Sequence, residues 1–345
     1  MFSYQRKNHS LPPIDPFRFN PELEPLLHAK RYQLFPIQYP KAWDQYKAQE
    51  RSVWRADMIH YTSDRQDFVT LPKNVQRMLL KTLAFFANAD NLVLESLADE
   101  LVQDIQVPEI RFMLQYAATM ELVHIETYNQ VIQTLVTDPE ERELLFSSVY
   151  HDPIIQPKFN WAQQFCTHKT PFPVRVVIML FTEGILFSSS FLNLCMVRYV
   201  YNKCHGLVEG NEYIMADEGK HCVNWILIYQ EIHQKLTVPL VHAICHDFVE
   251  FECEFAQHLL DSDDPIPQLP FRHVCEYIQC VANTLLVAIG APILYPHASN
   301  RFDFMKSIGL LGKTNFFEKK ETDYAQLKNE SENTTTIIHD LGEFI

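Results

Sequence analysis

Glu121, His124 and Tyr128 stand at positions i, i+3 and i+7 of one stretch of sequence. At about 100° per residue these three fall on one face of a helix. A carboxylate, an imidazole and a phenol then project from the same side of one rod. The Glu-x-x-His spacing returns once, at Glu218 and His221. Two such helices, with one carboxylate from each of two more, form a donor set for a pair of metal ions inside a bundle.

The two missing carboxylates can be sought in apolar surroundings. Asp90 lies in Leu-Ala-Phe85-Phe86-Ala-Asn-Ala-Asp90-Asn-Leu-Val-Leu, and Glu183 lies in Ile-Met-Leu-Phe-Thr-Glu183-Gly-Ile-Leu-Phe187. An unpaired carboxylate buried there costs several kcal/mol or takes up a proton. A dication compensates it most simply. The expected ligands are therefore Asp90, Glu121, His124, Glu183, Glu218 and His221. Hard oxygens with imidazole and no thiolate suit iron or manganese better than structural zinc. Four carboxylates around two dications bring the site near neutrality. Beside such a pair Tyr128 can lose an electron and a proton together, if water is kept out. Phe187 and Phe191, four and eight residues after Glu183, share its helix face and can form the dry wall, with Ser190 close to the same face. Glu254 and His258 are four apart and read as a solvated or partner-facing pair.

These side chains need helices to hold them. Only 8 glycines occur in 345 residues, and 47% of the residues are hydrophobic. Long apolar-periodic runs with few turn residues favour helices. The expected class is all-α: a ferritin-like helical bundle with extra helices. A helical pattern runs from Lys41 to about His60, with Trp54 inside it. Prolines then punctuate the rods. Pro72 opens one to about Ile105, Pro108 one to about Thr137, and Pro139 a shorter one. Pro171 and Pro173 open an apolar helix to about Tyr201. A loop containing Gly206 and Gly210 precedes a helix from about Glu212 to His233. Pro239 opens one to about Asp261, and Pro270 precedes the last, to about Ile289. Residues 174–197 are apolar enough to raise a membrane span, but Arg175 and Glu183 interrupt them and favour a buried core helix.

A net charge of −14 argues against nucleic acid as a partner. The 8 cysteines include no C-x-x-C pair and read as reduced core residues. No basic segment followed by an apolar run opens the sequence, so no secretory signal is expected. Residues 1–40 hold 7 of the 20 prolines and form an expected extended arm. Residues 41–312 form the helical domain. Residues 313–345 read as a flexible tail, polar through Thr336 and then apolar at Ile337, Ile338, Leu341, Phe344 and Ile345, as a peptide ligand for a groove would be.

From about residue 41 onward the protein resembles the small, radical-generating subunit of class I ribonucleotide reductase, of the eukaryotic and large-DNA-virus type. The segment ending Asp90-Asn-Leu-Val-Leu-Glu95 is similar to that family's first ligand helix. Glu121 to Tyr128 resembles its Glu-x-x-His plus radical tyrosine. Glu183-Gly-Ile-Leu-Phe-Ser-Ser-Ser-Phe191 resembles its third ligand helix, and Asp217-Glu218-Gly-Lys-His221-Cys its fourth. Phe317 to Tyr324 resembles its tail. Ala216 stands where the family usually has arginine, and Lys220 where it has an apolar residue.

The resemblance implies a homodimer carrying an oxo-bridged di-iron centre, with manganese as the alternative metal. It implies a Tyr128 radical passed to a separate large subunit that reduces ribonucleoside diphosphates. Trp54 matches the tryptophan that hands electrons toward the cluster. Asp217 matches the aspartate linking it to His124, and Tyr324 matches the tail relay tyrosine. The apolar terminus matches the docking peptide. A cytoplasmic protein with no membrane or nucleic-acid partner is expected. A stand-alone di-metal oxidase needs no tail, and a redox-inactive metal-binding scaffold forms no radical; both are rival readings.

Overall fold

The computed structural model describes residues 18–94, 101–153, 155–163, 170–260 and 264–308. The tail, with Tyr324 and the apolar terminus, lies outside them. Nine helices among the described residues carry the architecture: α1 (Pro40–Glu50), α2 (Lys73–Leu94), α3 (Pro108–Leu135), α4 (Ile155–Gln163), α5 (Phe172–Phe181), α6 (Ser188–Tyr201), α7 (His205–Glu231), α8 (Val238–Leu260) and α9 (Phe271–Ala288). Among the described residues there is no strand.

Proline does the expected work at helix starts. Pro40 and Pro108 sit in the first turns of α1 and α3, where a missing N–H costs nothing. Asp138 caps the short helix Pro139–Phe146 by accepting from the N–H groups of Glu140 and Glu141 at 2.8 and 3.1 Å.

The long apolar rod Phe172–Tyr201 is buried inside the protein from Phe172 to Val197 rather than left for lipid, and only its last turn, with Tyr199 and Val200, reaches the surface. Arg175 is held in place: its Nε donates to the Thr170 carbonyl at 3.1 Å, and its guanidinium pairs with Asp104. The rod is not one uniform helix. Thr182–Leu186 forms a single π-helical turn between α5 and α6, and that turn carries Glu183. Widened turns of this kind re-aim a side chain and recur at functional sites.

Two expectations fail here. Trp54 is not on a helix: α1 stops at Glu50, and Trp54 lies in the link before a short 3-10 turn at Ala56–Met58. Freed from the helix, the indole reaches across to α7. Gly206 and Gly210 are not in a loop either, since α7 begins at His205. A Cβ on Gly206 would sit 2.4 Å from the His60 carbonyl oxygen, and one on Gly210 would sit 3.0 Å from Ile59. These glycines allow close packing. The N-terminus of α7 is capped from far away: Asp64 accepts from the N–H groups of Gly206 and Leu207 at 3.2 and 2.6 Å, and Asp67 from Cys204 at 3.0 Å. A carboxylate there satisfies orphan donors and the helix dipole. No local cap residue announces this start, so the pattern alone begins the helix too late.

Part of the arm is described. Leu26 is buried and its carbonyl accepts from Gln106 N–H at 2.8 Å, while Glu24 accepts from His233 N–H at 3.0 Å. Arg31 pairs with the buried Glu109. The arm is therefore pinned to both the start of α3 and the end of α7.

Candidate metal centre

α2, α3, α7 and the π turn bring Asp90, Glu121, His124, Glu183, Glu218 and His221 into the interior, each at most 2% exposed. Two carboxylates organise the centre. Glu121 sets Oε2 3.2 Å from His124 Nδ1 and Oε1 2.9 Å from His221 Nδ1. Glu218 does the same with its two oxygens, at 3.2 and 3.5 Å. Each imidazole therefore faces one oxygen from each carboxylate, and each carboxylate spans both imidazoles. Ligand atoms lying within 4.8 Å of one another form two groups: Asp90 with Glu121 and His124, and Glu121 with Glu218 and His221. Glu121 belongs to both.

Glu183 is in neither group. Its Oε2 accepts a hydrogen bond from Trp225 Nε1 at 2.8 Å. Trp225 sits one helical turn beyond His221, a spacing visible in the sequence that sequence reasoning did not use.

The electrostatics follow from burying so many acids together. Burial, then the Glu121 charge, raises the Asp90 carboxyl well above its ordinary value. Burial likewise raises Glu183, with His221 opposing and Glu218 and Glu121 adding to the rise. Burial would raise Glu121 too, but His124 and His221 hold it at about 2. Burial would lower both imidazoles, yet Glu121 foremost drives each well above the usual histidine range. Both oxygens of Asp90 and of Glu218 accept no hydrogen bond. Buried acceptors without partners are costly. Dications answer that deficit and replace the protons, so the residues present fit a two-metal centre of iron or manganese type.

Around this set lies an outer layer. His124 Nε2 donates to Asp217 Oδ2 at 3.3 Å, which turns Nδ1 toward Glu121 and Glu218 as the nitrogen that would ligate. The same oxygen accepts from Trp54 Nε1 at 2.7 Å. Lys220 donates to the other oxygen, Oδ1, at 2.7 Å. The lysine that departs from the resembled pattern thus neutralises the aspartate. Burial opposes ionisation of Asp217, but His124, then Lys220, keep its carboxyl far below the ordinary range.

Tyr128 is 2% exposed, and its hydroxyl has no hydrogen-bond partner. Burial, then Asp90, raises its phenol well above the usual value. Phe86 covers it face to face, and Phe187 and Phe191 pack edgewise or tilted on Phe86 at 5.3 and 5.0 Å. The expected dry wall exists, but Phe86 is the ring that touches the phenol. Ser190 is buried nearby in sequence with its hydroxyl unpartnered.

A second buried group lies behind the π turn. Lys158 on α4, 2% exposed, pairs with Glu252 on α8 at 2.6 Å and donates to the Leu186 carbonyl at 2.5 Å. Its ammonium sits over the rings of Phe85 and Phe255 at 3.8 and 3.9 Å. Glu252 also accepts from the Ser189 N–H at 3.0 Å and its hydroxyl at 2.5 Å. The pair therefore holds the C-terminal end of the π turn and the first turn of α6. Sequence reasoning missed it; a lysine and a glutamate so far apart along the backbone carry no local signal.

Known proteins are similar to this one over most of its length. The family model for the ribonucleotide reductase small chain matches residues 31–301. The protein is 37% identical over 305 residues to a ribonucleoside-diphosphate reductase small chain of Arabidopsis thaliana, covering 87% of this sequence and 88% of that one. It is 38% identical over 308 residues to the small chain of Trypanosoma brucei brucei, covering 87% and 89%. Its fold is similar to a ribonucleotide reductase homodimer from Saccharomyces cerevisiae, with a TM-score of 0.74, 26% identity, and 88% and 93% of the two chains covered. With the family match spanning the helices that carry all six candidate metal-site side chains, this protein belongs to the ribonucleotide reductase small-chain family.

Proposed function

We propose that Asp90, Glu121, His124, Glu183, Glu218 and His221 hold two iron ions, with manganese as the alternative, and that Tyr128 carries the radical that serves ribonucleotide reduction. The observation that supports this most is the double span of Glu121 and Glu218 across His124 and His221. A metal pair bound there would supply a one-electron oxidant. The protein's own residues do the rest. Glu121 and Glu218 fix the spacing of the two ligand positions. Asp217 holds the proton on His124 Nε2 and so orients Nδ1 inward. Trp225 holds Glu183 by a hydrogen bond to Oε2, which orients the carboxylate and leaves lone pairs to ligate. Tyr128 keeps its proton on Oη until it gives up an electron, and Phe86, Phe187 and Phe191 keep water and reductants away.

Electrons reach the centre through Trp54 and Asp217, which join His124 in one hydrogen-bonded line. Residues 41–312 act as the metal-bearing domain of a homodimer, and residues 313–345 as the segment that docks on the large subunit. Tyr324 relays the radical between them. The compartment is the cytoplasm. Electron paramagnetic resonance after adding ferrous iron and oxygen tests the reading. A tyrosyl signal that vanishes in Tyr128→Phe is expected, and a wild-type protein that binds iron without forming one overturns it. Deleting residues 324–345 is expected to abolish turnover with the large subunit while leaving the signal intact. Turnover that survives the deletion restores the stand-alone oxidase.

A further inference from the structure

Trp54 stacks with two rings. The His124 imidazole has its centroid 6.1 Å from that of the indole, with planes 18° from parallel. The Tyr213 ring stands at 5.4 Å and 29°. The indole is 5% exposed, whereas Tyr213 is 40% exposed. The stack therefore runs from a buried metal-site imidazole, through a buried indole, to a phenol at the surface. Tyr213 Oη donates to Glu209 Oε1, one turn earlier on α7, at 3.5 Å. Tyr213 and Glu209 also line an open hollow of about 390 Å³ with Arg198, His205 and Glu212. The phenol thus has the two things an oxidisable tyrosine needs: ring contact with an electron acceptor, and a carboxylate to take its proton.

We propose that Tyr213 is a relay residue that connects Trp54 to the protein surface. The proposal rests on Trp54 acting in electron transfer, as read above. When Trp54 has lost one electron, its Nε1 proton stays on the hydrogen bond to Asp217. One electron then passes from the Tyr213 ring to the indole. The Tyr213 Oη proton passes to Glu209 Oε1. The products are neutral Trp54, a Tyr213 phenoxyl radical and protonated Glu209, so charge and electrons balance. The oxidant that first takes an electron from Trp54 is the oxidised metal centre in the enzyme. Any one-electron oxidant of sufficient potential replaces it in a test.

The test uses the full-length, metal-free protein, so it does not depend on the cluster. A tris(bipyridine)ruthenium complex with persulfate supplies the oxidant after a light flash, and transient absorption follows indole and phenoxyl radicals. In wild type the indole signal should decay as a phenoxyl signal rises at the same rate. Trp54→Phe should lose the shared phase. Tyr213→Phe keeps the ring in place but has no phenolic proton to give; the indole radical should then live several-fold longer. Glu209→Gln should slow the transfer without removing it. A shared phase that is unchanged in Tyr213→Phe, or absent from wild type, overturns the proposal. The Tyr128 signal after iron and oxygen reports separately on the metal-centre reading.

Discussion

Phe86 lies face to face with Tyr128, the ring centroids 4.7 Å apart and the planes 2° from parallel. A phenol covered this way, buried and with no hydrogen bond on its hydroxyl, is screened from water on that face. Tyr128→Phe deletes only an unsatisfied buried hydroxyl, so stability should stay within about 1 kcal/mol of wild type or rise. Paramagnetic resonance should show the tyrosyl signal gone. Phe86→Ala instead opens a cavity and should cost about 3–5 kcal/mol, read by denaturant unfolding. In that variant the radical, where formed, should decay faster on addition of a small hydrophilic reductant.

Asp217 orients His124 from behind, so Asp217→Asn should weaken metal binding without removing a ligand. A loss of about 10–100-fold in affinity is expected, measured by competition with a chelator. Lys220→Met should act in the same direction and more weakly, because it leaves Asp217 in place but uncompensated on Oδ1.

Trp225 donates to Glu183 Oε2, an oxygen that the proposed metal pair would also use. Trp225→Phe keeps an aromatic ring there and frees the carboxylate. Metal titrations should then show faster uptake, together with a less stable metal-free protein, because Glu183 loses its donor. Unchanged uptake kinetics would show that the hydrogen bond does not gate the ligand.

The Lys158–Glu252 pair gives a pH signature. Burial lowers the Lys158 ammonium to about 8, against the pull of Glu252. Its ordinary value is about 10.4, so between these two limits the unfolded protein binds more protons than the fold. Stability contributed by this group should therefore rise as pH increases from about 8 toward 10.4. Below about 8 both states are protonated and the contribution is flat. Glu252 is raised, by burial first, so its contribution runs the other way, fully present below the ordinary glutamate range and lost as pH climbs through its folded value. Lys158→Met alone strands a buried carboxylate and should cost about 3–5 kcal/mol. Adding Glu252→Gln should return much of that, and the alkaline rise should vanish in both variants. Denaturant melts across the pH range read all three effects.

Gly206→Ala should destabilise the packing of α7 against the link that carries His60. The new Cβ meets backbone, the His60 carbonyl, which cannot rotate away as a side chain can. A cost of about 1–3 kcal/mol is expected, measured by thermal unfolding. Gly184→Ala meets side chains, the tip of Leu285 foremost and then Cys222 Sγ at 3.4 Å, and should be milder.

The Glu-x-x-His pairs, the stranded Asp90 and Glu183, and the proline-started rods were legible in the sequence itself. Each depends on neighbours within a turn or two, and helical periodicity turns that spacing into a face. The all-α bundle follows from the same periodicity. Three things were decided only by packing. Trp54 leaves the end of α1 and stacks with His124 and Tyr213, both remote from it in sequence. α7 starts at His205 because Asp64, from another segment, caps it. Trp225 and Phe86 stood beside expected ligands in the sequence, yet which atom each one touches depends on how helices cross. Contacts between rods are set by side-chain volumes summed over the whole core, and no local window of sequence contains that sum.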